Sequence, residues 1–329
     1  SDLVPSERSL NVLNVIVNRQ HKESTIMHKF ILAFLLLAFI QGCATAPIVP
    51  KEEVGIKETM VKPLQSVTAI TAGGMHTCAL LLDGSLRCWG SNSMGQLGNE
   101  AVENASTNPV AVTGISNIKT ISAGYFDTCA LLLDGKVKCF GIDDTRSEAD
   151  IKTIDPRTMP KLFSHPTEVK EVSNATAIAT GWAHACLILS DGKVKCWGNN
   201  STGQLGVGTT LNSTPPVEVK GVSNPVAITT GVANTCVVLP NGTVKCWGTD
   251  SFGGSGTIYG FSSLTPIEIK GISNAKTIAS GMGHAFVLLS DSTVKCWGHN
   301  KDGQLGNGTQ SEFSSTPVTV IESQPKDNK

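Results

Sequence analysis

Ten cysteines carry the most reactive chemistry in this 329-residue chain, and eight of them fall into pairs ten positions apart. Cys78 and Cys88 are centred on Asp83, Cys129 and Cys139 on Asp134, Cys186 and Cys196 on Asp191, and Cys236 and Cys246 on Asn241. If the first pair flanks a loop Leu82-Asp83-Gly84 with Gly84 left-handed, its members face each other across an antiparallel hairpin. Directly opposed Cβ atoms lie about 4.5–5.5 Å apart, near the ~3.8 Å of a disulfide. Cross-strand disulfides are therefore expected at all four pairs. The competing reading is reduced thiols buried in a cytosolic protein; a zinc site is disfavoured because ten residues across a hairpin is not a close ligand spacing. In a fifth unit Phe286 stands at the first cysteine position and Ser292 at the turn glycine, so Cys296 is expected to be unpaired.

A second aligned position holds His76, Asp127, His184, Asn234 and His284. Gathered round one axis, such side chains would make a metal site; the simpler reading gives each a hydrogen bond to backbone within its own unit. No metal and no cofactor is expected. Neither GxGxxG nor GxxxxGK[ST] occurs and no nucleophile motif accompanies the histidines, so the chain is expected not to be an enzyme. Recurrent Trp-Gly pairs raise the chemistry of sugar or base stacking, but their fixed place beside each hairpin favours packing. Lys and Arg number 26 against 27 Asp and Glu, which gives no electrostatic reason to expect nucleic acid as a partner.

The N-terminal pattern bears on compartment. Residues 30–40, FILAFLLLAFI, form an uncharged run the length of a signal-peptide core and too short to span a bilayer. Met27-His28-Lys29 gives it a basic start, so 1–26 is expected to be upstream sequence and 27–42 a signal peptide. The following IQGCATAP resembles the lipobox of bacterial lipoproteins through Ile40, Gly42 and Cys43, with Gln41 an uncommon occupant. That resemblance implies cleavage before Cys43, diacylglycerol and palmitate on it, and, from Ala44, the outer membrane. Ordinary cleavage after Ala44-Thr45-Ala46 is the alternative, with Pro47 against it. Asn-x-Ser/Thr triplets such as Asn200-Ser201-Thr202 would then be idle as glycosylation acceptors.

The elements that must position these residues are repeats. Residues 43–65 read as a lipid-anchored linker with Pro47, Pro50 and Pro63, 66–321 as the repeat domain and 322–329 as a polar tail. Gly73 recurs as Gly124, Gly181, Gly231 and Gly281, at steps of 51, 57, 50 and 50 residues. Each unit offers four short strands; in one cycle these are 109–112, 119–122, 129–133 and 137–140. Four strands per ~50 residues predict an all-β fold, a β-propeller of about five blades. The run 317–320 is a candidate to close the ring by pairing with the first blade.

The phrase HTCALLLDGSLRCWGSNSMGQLG at 76–98 resembles the regulator of chromosome condensation repeat, also called the alpha-tubulin suppressor repeat. Trp-Gly recurs at 89–90, 197–198, 247–248 and 297–298, with Phe140-Gly141 in unit two, and Gly-Gln-Leu-Gly at 95–98, 203–206 and 303–306. The resemblance implies a propeller, typically of seven blades, and favours the structural role of the histidine position. The nuclear member's GTPase exchange and chromatin binding do not carry over to a secreted, lipid-anchored chain without a basic arm. Units two and four depart from the pattern in loops 142–166 and 250–263, which either drift freely or carry binding specificity. The expected function is therefore an extracytoplasmic scaffold on the bacterial envelope that binds a protein or cell-surface ligand. A structural envelope lipoprotein and a polysaccharide-active propeller enzyme are the rivals.

Overall fold

The computed structural model describes residues 63–102, 104–141, 164–249 and 262–322, all within a compact unit that begins at Pro63. Alternating apolar residues and glycine turns fold this unit into five four-stranded antiparallel sheets, each a meander of sequence neighbours. The first contains β1 (Val67–Ala72), β2 (His76–Leu81), β3 (Leu86–Ser91) and β4 (Ala105–Ala111). The second contains β5 (Ile118–Ala123), β6 (Asp127–Leu132), β7 (Val137–Gly141) and β8 (Thr167–Glu168), and the third β9 (Ala175–Thr180), β10 (His184–Leu189), β11 (Val194–Gly198) and β12 (Ser213–Glu218). The fourth holds β13 (Ala227–Thr230), β14 (Asn234–Val238), β15 (Val244–Thr249) and β16 (Ser262–Glu268), and the fifth β17 (Ala275–Ser280), β18 (His284–Leu289), β19 (Val294–His299) and β20 (Phe313–Thr319). These are blades of a β-propeller.

Two expectations about strand grouping change. Residues 109–111 of the run 109–112 lie in β4, which pairs with β3, so the run closes the first blade and does not open the second. The C-terminal run pairs with β19 through Cys296 and Val318, so it completes the fifth blade and does not reach β1. The fourth strand is always the edge, and β4, β12, β16 and β20 each carry a proline there. An edge strand tolerates a missing ladder donor, and proline blunts it against pairing with another chain.

The hairpin between second and third strands follows the expected geometry. Leu81 N–H donates to Ser85 O, Gly84 N–H donates to Leu81 O, and Gly84 sits at φ 79°. This leaves Cys78 directly opposite Cys88 in the register. In the fifth blade Ser292 occupies the same left-handed position at φ 68°, which glycine reaches without steric cost.

Strand alternation gives every blade two faces. The trailing face carries His76, Cys78 and Leu80 in the first blade, and the leading face Thr77, Ala79 and Leu81. Each core joins the trailing face of one blade to the leading face of the next: Leu80 and Leu86 meet Ile121 and Phe140, and Val238 and Val244 meet Ile278 and Trp297. Among the described residues there are four such cores for five blades.

Candidate functional site at the propeller mouth

The turn between first and second strands is a Gly-led tripeptide in every blade: Gly73-Gly74-Met75, Gly124-Tyr125-Phe126, Gly181-Trp182-Ala183, Gly231-Val232-Ala233 and Gly281-Met282-Gly283. The five turns converge on one shallow cavity of about 360 Å³ at one end of the sheets. Gly74 N–H donates to Gly124 O at 3.1 Å, and Tyr125 N–H to Gly181 O at 3.0 Å, so neighbouring turns are stitched backbone to backbone. A Cβ on Gly73 would come within 2.3 Å of Gly124 O and 2.5 Å of the His76 ring, which explains the glycine there.

The second residue of each turn supplies the side chains at this mouth. Tyr125 and Trp182 stack with centroids 5.1 Å apart, Trp182 is 37% exposed and Met282 64% exposed. Thr230 Oγ1 and Ser280 Oγ, also in the lining, are buried and make no hydrogen bond. Among the described residues, the lining contains no carboxylate, histidine, lysine or arginine. Such a surface offers apolar contact, aromatic faces and two spare hydroxyls, which suits recognition more than proton transfer.

Each of the four cysteine pairs is a disulfide: Cys78–Cys88, Cys129–Cys139, Cys186–Cys196 and Cys236–Cys246. Their Cα atoms lie 4.0–4.1 Å apart, at the close, non-hydrogen-bonded positions of the ladder. All eight are buried, so the bonds brace the blades and are not exposed for redox chemistry. Cys296 is free and buried, with burial pushing its thiol up to about 11.

At the histidine position, the side chains of His76 and His184 bond to the next blade and not within their own. His76 Nε2 lies 2.7 Å from Thr128 Oγ1 of the next blade, and Thr128 Oγ1 donates at 3.0 Å to Gln96 O. His184 repeats this with Thr235 Oγ1 at 3.0 Å, which donates to Gln204 O at 2.9 Å. Because each threonine proton goes to a carbonyl, the histidine Nε2 is the donor. Burial pushes both histidines down to about 4, so they stay neutral. These residues are spread over separate blade interfaces, and among the described residues no group of three or more His, Cys, Asp or Glu could hold a metal ion.

The tryptophans pack as expected at Trp197, Trp247 and Trp297, which are fully buried with Phe140. Trp247 Nε1 donates to Gln204 O at 2.9 Å, and its ring covers Gly206 of the preceding blade. Trp89 is only half-buried, and no described blade packs on its outer side. Sequence reasoning missed the mouth residues and the buried asparagines Asn92, Asn200 and Asn300. Asn200 Oδ1 accepts from Leu205 N–H while Nδ2 donates to Thr209 O and Leu211 O, and this shapes the Gly-Gln-Leu-Gly loop. The signal was present as a recurring Trp-Gly-x-Asn.

Cys43 lies outside the described residues, as do 142–163 and 250–261 of the two irregular loops. The ends of those loops are placed: Gly141 faces Asp127 across the ladder, and Ser262 and Ser263 pair with Thr249 and Gly248. Both segments therefore leave their sheets at the mouth end. No helix among the described residues is long and apolar enough to cross a membrane.

Comparison with known proteins agrees with this architecture. Human WBSCR16 superposes with a TM-score of 0.65 at 22% identity, covering 78% of this chain and 67% of that one. Yeast Prp20p superposes at 0.61 and 18%, covering 77% and 76%. In sequence, the chain is 30% identical over 158 residues to protein pim1 of Schizosaccharomyces pombe, covering 44% of this chain and 29% of that protein. It is 31% identical over 151 residues to the mouse regulator of chromosome condensation, covering 46% and 35%. The chain thus spans about a third of the curated relatives it matches. The RCC1-like domain model matches residues 42–328, nearly the whole chain. With its blades, its Trp-on-Gly contacts and its buried histidine links accounted for residue by residue, this chain belongs to the RCC1-like domain family.

Proposed function

We propose that this chain is an extracytoplasmic, lipid-anchored scaffold that binds a protein or cell-surface ligand at the mouth end of its blades. One observation carries the reading: the half-buried Tyr125 and the exposed Trp182 and Met282 share one end of the sheets with both irregular loops. Exposed aromatic and Met side chains on a rigid frame are the usual material of protein-binding surfaces. Prp20p, a neighbour in fold, has binding properties toward Gsp1p and histones, and a complex with Kap60 has been solved. By that analogy the propeller serves as a protein platform, while the partner depends on the loops. The lipobox-like segment ending at Cys43 supports a membrane tether, and four buried disulfides suit an oxidising compartment.

The test is capture of envelope and external proteins by the full-length chain, measured as saturation binding. A Tyr125→Ser, Trp182→Ser double variant is expected to lose at least about tenfold in affinity for the captured protein. A control at the opposite end, Leu82→Ser with Leu133→Ser, replaces exposed leucines and keeps wild-type binding. Equal binding by both variants, or no saturable partner, would contradict the proposal.

A further inference from the structure

Among the described residues, the four cores leave one face uncovered at each end of the array. The line of close glycine contacts makes the break visible. A Cβ on Gly73 would meet Gly124 O, on Gly124 Gly181 O, on Gly181 Gly231 O, and on Gly231 Gly281 O. For a Cβ on Gly281 the three nearest atoms all belong to the ring of its own His284, and no carbonyl of another blade is among them. The fifth blade's trailing face is thus open: Leu288 is 39% exposed where Ile188 is 5%, and Gly306 is exposed where Gly98 and Gly206 are buried. On the first blade's leading face Ile70 is 67% exposed where Ile121 is 9%, and Trp89 is half-buried. Terminal units of repeat arrays ordinarily carry a polar outer face, and neither end does so here.

We propose that the trailing face of the fifth blade docks onto the leading face of the first blade in a second copy of this chain. The chemistry of the two ends comes from interfaces the chain already builds. Between blades one and two, and between three and four, a histidine meets a threonine whose hydroxyl bonds the Gln carbonyl of a Gly-Gln-Leu-Gly loop. An aromatic ring from the threonine's blade covers that loop's last glycine, as Phe140 does for Gly98 and Trp247 for Gly206. Blade five offers the same acceptor half, His284 with Gln304 and Gly306, and no described residue supplies its donor half. Threonine is the matching donor, and the third and fifth blades lack it, with Ala185 and Ala285 in its place. Blade one has it: Thr77 stands opposite Trp89 in the ladder, as Thr235 stands opposite Trp247. Donor and acceptor halves thus sit at opposite ends of one molecule, so the contact is heterologous and propagates head to tail.

The experiment is sedimentation of the full-length chain in a mild detergent over about a hundredfold range of concentration. Two variants each block one end: Ile70→Asp the leading face and Leu288→Asp the trailing face. Both sites are exposed, and unchanged thermal melts confirm that the blades persist. Wild type is expected to gain mass with concentration, and each variant alone to stay monomeric. An equimolar mixture should then give a species of about twice the monomer mass and nothing larger, because only one pair of intact faces remains. Three results overturn the proposal: a monomeric wild type, whether Trp89 is open to a soluble quencher or shielded by closure within one chain; assembly by either variant alone; or no dimer in the mixture.

Discussion

His76 and His184 each donate from Nε2 to a threonine of the next blade, and burial holds them neutral by pushing them down to about 4. An unfolded histidine takes a proton near pH 6.5, so acid favours unfolding. Their contribution is fully present above about pH 6.5, falls as pH drops toward 4 and levels off below it. At about pH 5 each site costs about 2 kcal/mol. Denaturant melts at about pH 7 and pH 5 should show this loss, and a His76→Asn, His184→Asn variant should show a flatter profile; Asn234 occupies the same position in blade four. An unchanged slope in that variant would contradict the assignment. The cysteine pairing was legible because its symmetry about Asp83 lies within one hairpin. The histidine bond was not, because its partner lies 52 residues away in another sheet.

At the scale of the element, the hairpin of blade five tests what the disulfides contribute. Phe286 faces Cys296 in the same register that joins Cys78 to Cys88. A Phe286→Cys substitution should therefore form a fifth disulfide. Closing a loop of about ten residues contributes about 2–3 kcal/mol, against about 1 kcal/mol for the lost edge contact between Phe286 and His284. The expected outcome is loss of the remaining free thiol in this domain and a higher melting temperature that reverts on reduction. A thiol that remains titratable after oxidation and unfolding would contradict the register. Strands were readable from short β-branched runs between turns, but their grouping into blades was not. A repeat of four strands looks the same from any starting point, and only the pairing of β4 with β3 fixes where a blade ends.

For the whole molecule, the number of repeats was plain from the glycine spacing, whereas closure depends on faces more than 200 residues apart and needed the cores themselves. The mouth was missed because its side chains differ in every blade; the glycines recur, and Tyr125, Trp182 and Met282 do not. The proposed role rests on export, since eight cysteines would stay reduced in a cytosol and a mouth facing the envelope would never meet its ligand. The most direct measurement is the intact mass of the chain purified from membranes after thiol alkylation under denaturing, non-reducing conditions. The account predicts an N-terminus at an acylated Cys43, four disulfides and a single alkylated thiol at Cys296. A chain that retains residues upstream of Cys43 and carries alkyl groups on the eight hairpin cysteines would contradict it.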